Sequence, residues 1–331
     1  MSKKKLHVKE PVISTYTSYG CLFSIMTEDL WPWVFNNFIQ IRYAHNWGIF
    51  AFDCHHLLLK NCPGIAFYDM PQGLAAGRQG RSMQRIITEA IDAGYYLYIY
   101  VDRYYISLSD SYKKQSFVHE LFIYGYDLVK GTALAADNLL DGQFIFAEIP
   151  LEEIEQGYWK IEGRYRYWTD IRYLKAEKQF DSSINLEQIA AGLTNYLHSK
   201  PTFDLVAEQP FDYGFQALNK LFEQIEMNRT SAVKNLDRRG FHLLYEHKLL
   251  MELRLKYLTE HQGIPCGSLL LDSAAALKQD FLIVRNLVLK YNLKKDIGLL
   301  NHIRAVLETS IASEQRFISS LLNTISSMTS A

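Results

Sequence analysis

The spacing of apolar positions divides the chain into two parts. From about Val12 to Trp168, short apolar runs are punctuated by Gly, Pro, Asp and Asn. Phe38-Ile-Gln-Ile-Arg-Tyr43 alternates as a half-buried strand does, and Tyr95-Tyr-Leu-Tyr-Ile-Tyr-Val101 reads as a more fully buried one. Between them, Ser82 to Ala93 has helical periodicity, with Met83, Ile86, Ile87, Ala90 and Ile91 on one side and Gly94 as its stop. A meander follows, with strands predicted over Phe117–Tyr124, Thr132–Ala136 and Gln143–Ala147. Gly125-Tyr-Asp127 breaks the first strand, and Asp137-Asn138 and Asp141-Gly142 read as turns. Pro150 opens a short acidic helix, in the first-turn position that tolerates proline.

From about Leu186 the period becomes helical. The spacing predicts helices over Leu186–Leu197, Tyr213–Met227, Gly240–His261, Ser268–Tyr291 and Asp296 to the last residue. The expected fold is therefore α+β: an N-terminal half with an antiparallel sheet and an all-helical C-terminal half. The change of period falls between about 175 and 185, giving domains of 1–180 and 181–331. No Pro-, Gly- or Ser-rich linker separates them, and no repeat is found.

Composition narrows the function classes. Hydrophobic residues at 48% and charged residues at 21% describe an ordinary globular protein. The 22 Tyr and 18 Phe fit strand and core packing. A formal net charge of −1 gives no electrostatic reason to expect nucleic acid or an anionic membrane as a partner. The basic start, Met1-Ser-Lys-Lys-Lys-Leu, is followed by no signal-like apolar stretch, and no apolar run is long enough to span a bilayer. Four cysteines without a CxxC fit a reduced, cytoplasmic protein better than a disulfide scaffold.

Three residues offer chemistry together. His119 lies within an apolar strand, where its ring nitrogens need partners. Asp137 stands 18 residues on, at the end of the next strand, so its carboxylate, or the Asn138 amide, can reach the imidazole. Cys21 follows Gly20, and a helix beginning there would lower the thiol pKa. The same residues also fit a core histidine satisfied by an Asp-Asn turn, and a small buried cysteine.

His119, then five residues, then Gly125-Tyr-Asp127, a strand ending in Asp137 and a proline-initiated acidic helix resemble papain-like cysteine proteins. In particular they are similar to the family of the N-terminal domain of butirosin biosynthesis protein H, found in peptide-antibiotic gene clusters. The resemblance covers roughly residues 12 to 160, most specifically His119 to Asp137. It implies a papain-like fold in which Cys, His and Asp or Asn move an acyl group from a carrier-protein thioester to an amine. Cys21 is then the nucleophile, His119 the general base and Asp137 the orienter. The family pattern places a long helix directly after the nucleophile, whereas this chain soon meets Trp31-Pro32-Trp33.

Other clusters carry weaker signals. Cys54 is a reserve nucleophile, and Asp53-Cys54-His55-His56 with Cys62 matches no common zinc spacing. Gly73, Gly77 and Gly80 with Arg78 and Arg81 lack the ending of a phosphate loop and read as a flexible loop. His242, Glu246, His247, Lys248 and Arg254 form a polar cluster on one helix, expected as a solvated ridge. Asp237-Arg238-Arg239 could meet an acidic helix of a carrier protein or a phosphopantetheine phosphate.

The expectation is carrier-dependent amide or ester formation in secondary metabolism. The partners would be an acyl or peptidyl carrier protein and a small-molecule or peptide amine. The protein needs no cofactor or metal of its own, since the carrier supplies phosphopantetheine. Backbone N–H groups near Cys21 would stabilise the oxyanion. Two alternatives remain: a papain-like pseudoenzyme that binds a carrier protein or peptide intermediate, and a hydrolase acting on a peptide or thioester through the same triad. The helical half has apolar stripes wide enough to cover the site or to form a homodimer.

Overall fold

The computed structural model describes residues 2–53, 55–79, 82–161, 168–177, 182–203, 210–231 and 235–329. The chain begins with β1 (Lys3–Lys5), α1 (Thr17–Ile25), α2 (Trp31–Asn37), β2 (Ile41–Ala44), β3 (Ile49–Phe52) and a short α3 (His55–Leu58). Next come β4 (Ile65–Met70), α4 (Gln72–Gln79), α5 (Met83–Asp92) and β5 (Tyr96–Asp102). The meander is β6 (Val118–Asp127), β7 (Thr132–Leu140) and β8 (Gln143–Pro150), followed by α6 (Leu151–Trp159) and β9 (Ile171–Ala176). α7 (Leu186–Leu197), β10 (Phe211–Tyr213) and α8 (Gly214–Thr230) precede three long helices, α9 (Arg238–Gln262), α10 (Ser268–Lys294) and α11 (Ile297–Thr329). The protein is mixed α/β, with antiparallel sheet in the N-terminal half and helices in the C-terminal half. Among the described residues no helix is long and apolar enough to cross a membrane.

Two compact units form. One comprises Met1–Leu30 and His56–Asp181, the other Trp31–His55 and Ser182–Ala331. Residues 31–55, which lie inside the stretch 1–180 expected as one domain, thus pack with the helices.

The first unit is built on an antiparallel sheet ordered β4-β9-β5-β6-β7-β8, with β1 paired to β6. Alternation gives the sheet two different faces. Leu97, Ile99 and Val101 of β5, Leu121 and Ile123 of β6, and Ala133 and Ala135 of β7 form one core with α5 and α6. Each fully buried large side chain there is worth about 1.5–3 kcal/mol. The other face is aromatic: Tyr96, Phe122, Tyr124, Phe144 and Phe146 make successive ring contacts. α5 forms where its spacing predicts, with Ser82 accepting from the Arg85 N–H at 3.3 Å and Gly94 at φ +84° ending it.

Asp137 and Asn138 form no turn. They lie within β7, paired with Ile145 and Phe144 of β8, and the reversal falls at Asp141-Gly142, both at positive φ. Likewise Gly125-Tyr-Asp127 continues β6 through a bulge, because β1 pairs with these three residues. A Cβ on Gly125 would stand 2.6 Å from the Lys4 carbonyl oxygen, so glycine permits that close approach.

In the second unit, β10-β2-β3 is a small antiparallel sheet beside the helices. The backbone at the end of α2 explains why 31–55 belongs here. Arg254 Nε donates to the Phe35 carbonyl at 2.8 Å and Nη2 to the Phe38 carbonyl at 2.7 Å, supplying a cation to the carbonyls a helix end leaves open. His247 Nε2 donates to the Ile39 carbonyl at 2.7 Å, while its Nδ1 accepts from Lys248 Nζ at 2.9 Å. Burial and the Lys248 ammonium push the His247 pKa well below its usual value, as a neutral ring requires. Lys248 is also ion-paired with Glu314, which accepts from the Tyr196 hydroxyl at 3.0 Å. The polar cluster on α9 is therefore no solvated ridge. Glu246, His247, Lys248 and Arg254 are all buried, and only His242 is partly open.

Candidate functional site

The first unit gathers a cluster around Asp137, a carboxylate with no exposed surface. Thr17 Oγ donates to its Oδ1 at 2.6 Å, and the Asn138 backbone N–H donates to the same oxygen at 2.6 Å. Arg103 donates to Oδ2 from Nε at 3.1 Å and from Nη2 at 2.5 Å. Two lone pairs on each oxygen make four acceptor positions, and these four donors match them in number. Burial pushes the Asp137 pKa up, but His119, Arg103 and Thr17 outweigh it and hold the carboxyl below its usual value.

Arg103 lies in the 3-10 turn Arg103–Tyr105 after β5. The preceding Asp102 fixes that turn, accepting from Tyr104 N at 3.0 Å, Phe117 N at 2.9 Å and Ser116 Oγ at 2.6 Å. The guanidinium is buried and lies 5.5 Å from the Phe117 ring centre. Asn138 does not orient the histidine: its side-chain amide donates to the Ser14 and Gly142 carbonyls.

His119 pairs with Val101 across β5 and β6, and its side chain is 23% exposed. Its Nδ1 lies 3.1 Å from Asp137 Oδ1, 2.7 Å from Arg103 Nη2 and 3.3 Å from Glu120 Oε2. Nε2 takes part in none of these contacts. The exposed Phe117 packs on the imidazole, with ring centres 5.4 Å apart. Burial lowers the His119 pKa and Arg103 opposes its charge, yet the Asp137 and Glu120 carboxylates raise it above its usual value.

Cys21 stands apart from this cluster. It lies in the second turn of α1, has no exposed surface and makes no hydrogen bond to His119. Its electrostatic neighbours are Tyr96 and Tyr98, on the aromatic side of the sheet. Burial pushes the thiol pKa well above its usual value. Thr17 is four residues earlier, about 6 Å along the helix axis, and its hydroxyl enters the cluster in place of the thiol. Gly20 meets no open space for a substrate: a Cβ there would run into the Phe144 ring.

Of the three residues expected to act together, the structure joins His119 and Asp137 and leaves Cys21 outside. Sequence reasoning missed Thr17 and Arg103. The signal for Arg103 was the pair Asp102-Arg103 directly after a buried strand. Thr17 carried no comparable mark.

The other candidates lie elsewhere. Cys54 falls outside the described residues. Asp53 pairs with Arg42 at 3.2 Å and accepts from Thr202 N at 2.9 Å. Cys62 is buried, and its thiol pKa is pushed up to about 12. Among the described residues no three His, Cys, Asp or Glu side chains are grouped to hold a metal ion. Gly73 and Gly77, expected in a flexible loop, lie in α4; Gly80 and Arg81 fall outside the described residues. Asp237 caps α9 and holds the Arg239 side chain at 2.8 Å.

A scan against protein-family models finds no match to the chain, and a search of curated proteins finds none either.

Proposed function

We propose that this chain is a non-catalytic binding protein on a papain-like scaffold. The His119 site would receive a peptide intermediate or the acyl end of a carrier-bound one. One observation supports this most: Cys21 is fully buried, with a raised thiol pKa and no hydrogen bond to His119. A thiolate is the nucleophile in thiol chemistry, and activation needs a base within hydrogen-bond reach. Neither condition holds at Cys21. The papain-like reading draws support from α1 lying against an antiparallel sheet whose adjacent strands, β6 and β7, carry His119 and Asp137.

The test is iodoacetamide labelling at neutral pH, followed by mass spectrometry of the Cys21 peptide in wild type, Cys21→Ala and His119→Ala. Slow labelling of Cys21, unchanged by His119→Ala, is expected. Fast labelling that depends on His119 would overturn the reading.

A second reading is favoured by the 3.1 Å approach of His119 to Asp137. In it, Cys21 takes an acyl group from a carrier's phosphopantetheine thioester and passes it to an amine, or to water in the hydrolytic variant. Loss of carrier-thioester turnover in Cys21→Ala would favour it over the binding reading.

A further inference from the structure

His119 Nδ1 meets two kinds of neighbour that cannot both be satisfied. A carboxylate needs an N–H there, whereas a guanidinium needs a lone pair. Arg103 Nη2 is the nearest polar atom, at 2.7 Å. Asp137 Oδ1 is 3.1 Å away and already accepts from Thr17 Oγ and the Asn138 N–H at 2.6 Å each, so an Nδ1–H would be its third and longest donor. Glu120 offers Oε2 at 3.3 Å and its carbonyl at 3.4 Å, beyond the usual N–H···O range of about 2.7–3.2 Å. Nη2 carries two protons, one for Asp137 Oδ2 and one for the imidazole. A proton on Nδ1 of the neutral ring would face that second N–H donor to donor.

From this we infer that Arg103 is a positioning residue: it holds the neutral His119 ring as the tautomer protonated on Nε2. The partly exposed histidine then offers a hydrogen-bond donor to whatever meets it. It has no lone pair on Nε2 with which to take a proton from a thiol or hydroxyl. A matching ligand group is an acceptor, a carbonyl or carboxylate oxygen, with the exposed Phe117 ring beside it for apolar contact. The imidazolium carries a proton on Nε2 as well, so the donor role holds on both sides of the titration. The groups facing the ring are Arg103, Asp137 and Glu120, the last also accepting from the Tyr100 hydroxyl at 3.3 Å.

This inference deepens the binding reading and rests on it only for the ligand's identity. It is tested by long-range proton–nitrogen correlation spectra of the full chain with ¹⁵N-labelled histidine, assigned with His119→Gln and followed through the His119 titration. On the alkaline side, wild type should show a proton on Nε2 and a bare Nδ1. Arg103→Lys, which keeps a cationic donor, should retain that pattern. Arg103→Gln should shift the ratio roughly tenfold toward Nδ1–H, the size expected of one charge-assisted hydrogen bond, and should raise the titration midpoint as a neighbouring cation is removed. A neutral wild-type ring protonated on Nδ1 would overturn the assignment, and that measurement needs no variant to fold. Such a result with Cys21 still unreactive to iodoacetamide would refute the tautomer and leave the binding reading standing.

Discussion

Asp137 holds a charge where water does not reach, and Arg103 makes that tolerable. Breaking a buried pair from one side leaves an uncompensated charge and costs about 3–5 kcal/mol. Asp137→Ala should therefore lower the unfolding free energy measured in urea by that order, moving the midpoint down with the slope of the transition unchanged. Thr17→Val removes one donor of four and should cost less, about 1–2 kcal/mol. The two ionisable partners also predict opposite pH behaviour. The Asp137 pKa is lowered by folding, so its contribution is complete above the unfolded value of about 3.9 and is lost as pH falls through the folded value. The His119 pKa is raised, so its contribution is present below about 6.5 and is lost as pH rises through the folded value. Unfolding free energies across pH should show the wild-type advantage over Asp137→Asn shrinking toward acid and that over His119→Gln shrinking toward alkali. At this scale the sequence reveals residue types but not which turn of a helix faces the cluster. α1 starts after Tyr16, which makes no side-chain cap, so nothing local marks Thr17 rather than Cys21 as the residue beside Asp137.

Elements are legible where local chemistry and long-range pairing agree. α5 has a serine cap, a regular apolar stripe and a glycine stop, and α7 runs over the same residues, Leu186–Leu197, that its spacing predicts. Legibility fails where pairing overrides local preference. Asp137-Asn138 has the composition of a turn, yet β8 pairs beside it and holds it extended, which carries the carboxylate into the cluster. Gly125 is a similar case: it looks like a strand breaker, but its missing side chain admits β1. Gly125→Ala would set a Cβ against the Lys4 backbone, which cannot move aside as a flexible side chain can. The expected outcome is faster hydrogen exchange at the β1 amides and a stability loss of about 1–3 kcal/mol. Unchanged β1 protection would mean that the β1–β6 approach tolerates the extra methyl group.

At the scale of the whole molecule, the excursion of residues 31–55 decides how the chain can be divided. The change of period near 180 is real, and Ser182 does begin the second continuous stretch of the helical unit. Periodicity cannot reveal that an earlier segment belongs to that unit, because its apolar pattern does not say which surface covers it. The buried charges on α9 supply the physical reason. Arg254 and His247 take their acceptors from the Phe35, Phe38 and Ile39 carbonyls, all within the excursion. A fragment of 182–331 alone would leave a buried guanidinium without its carbonyl acceptors, at a cost of several kcal/mol against a total stability of about 5–15 kcal/mol. That fragment is expected to lack a cooperative thermal transition followed by circular dichroism. Joining 31–55 to it through a flexible Gly/Ser linker should restore the transition, and Arg254→Ala in the joined chain should weaken it again. A cooperative transition in 182–331 by itself would mean that α9 finds other partners for these groups and that the helices can be stable without the excursion.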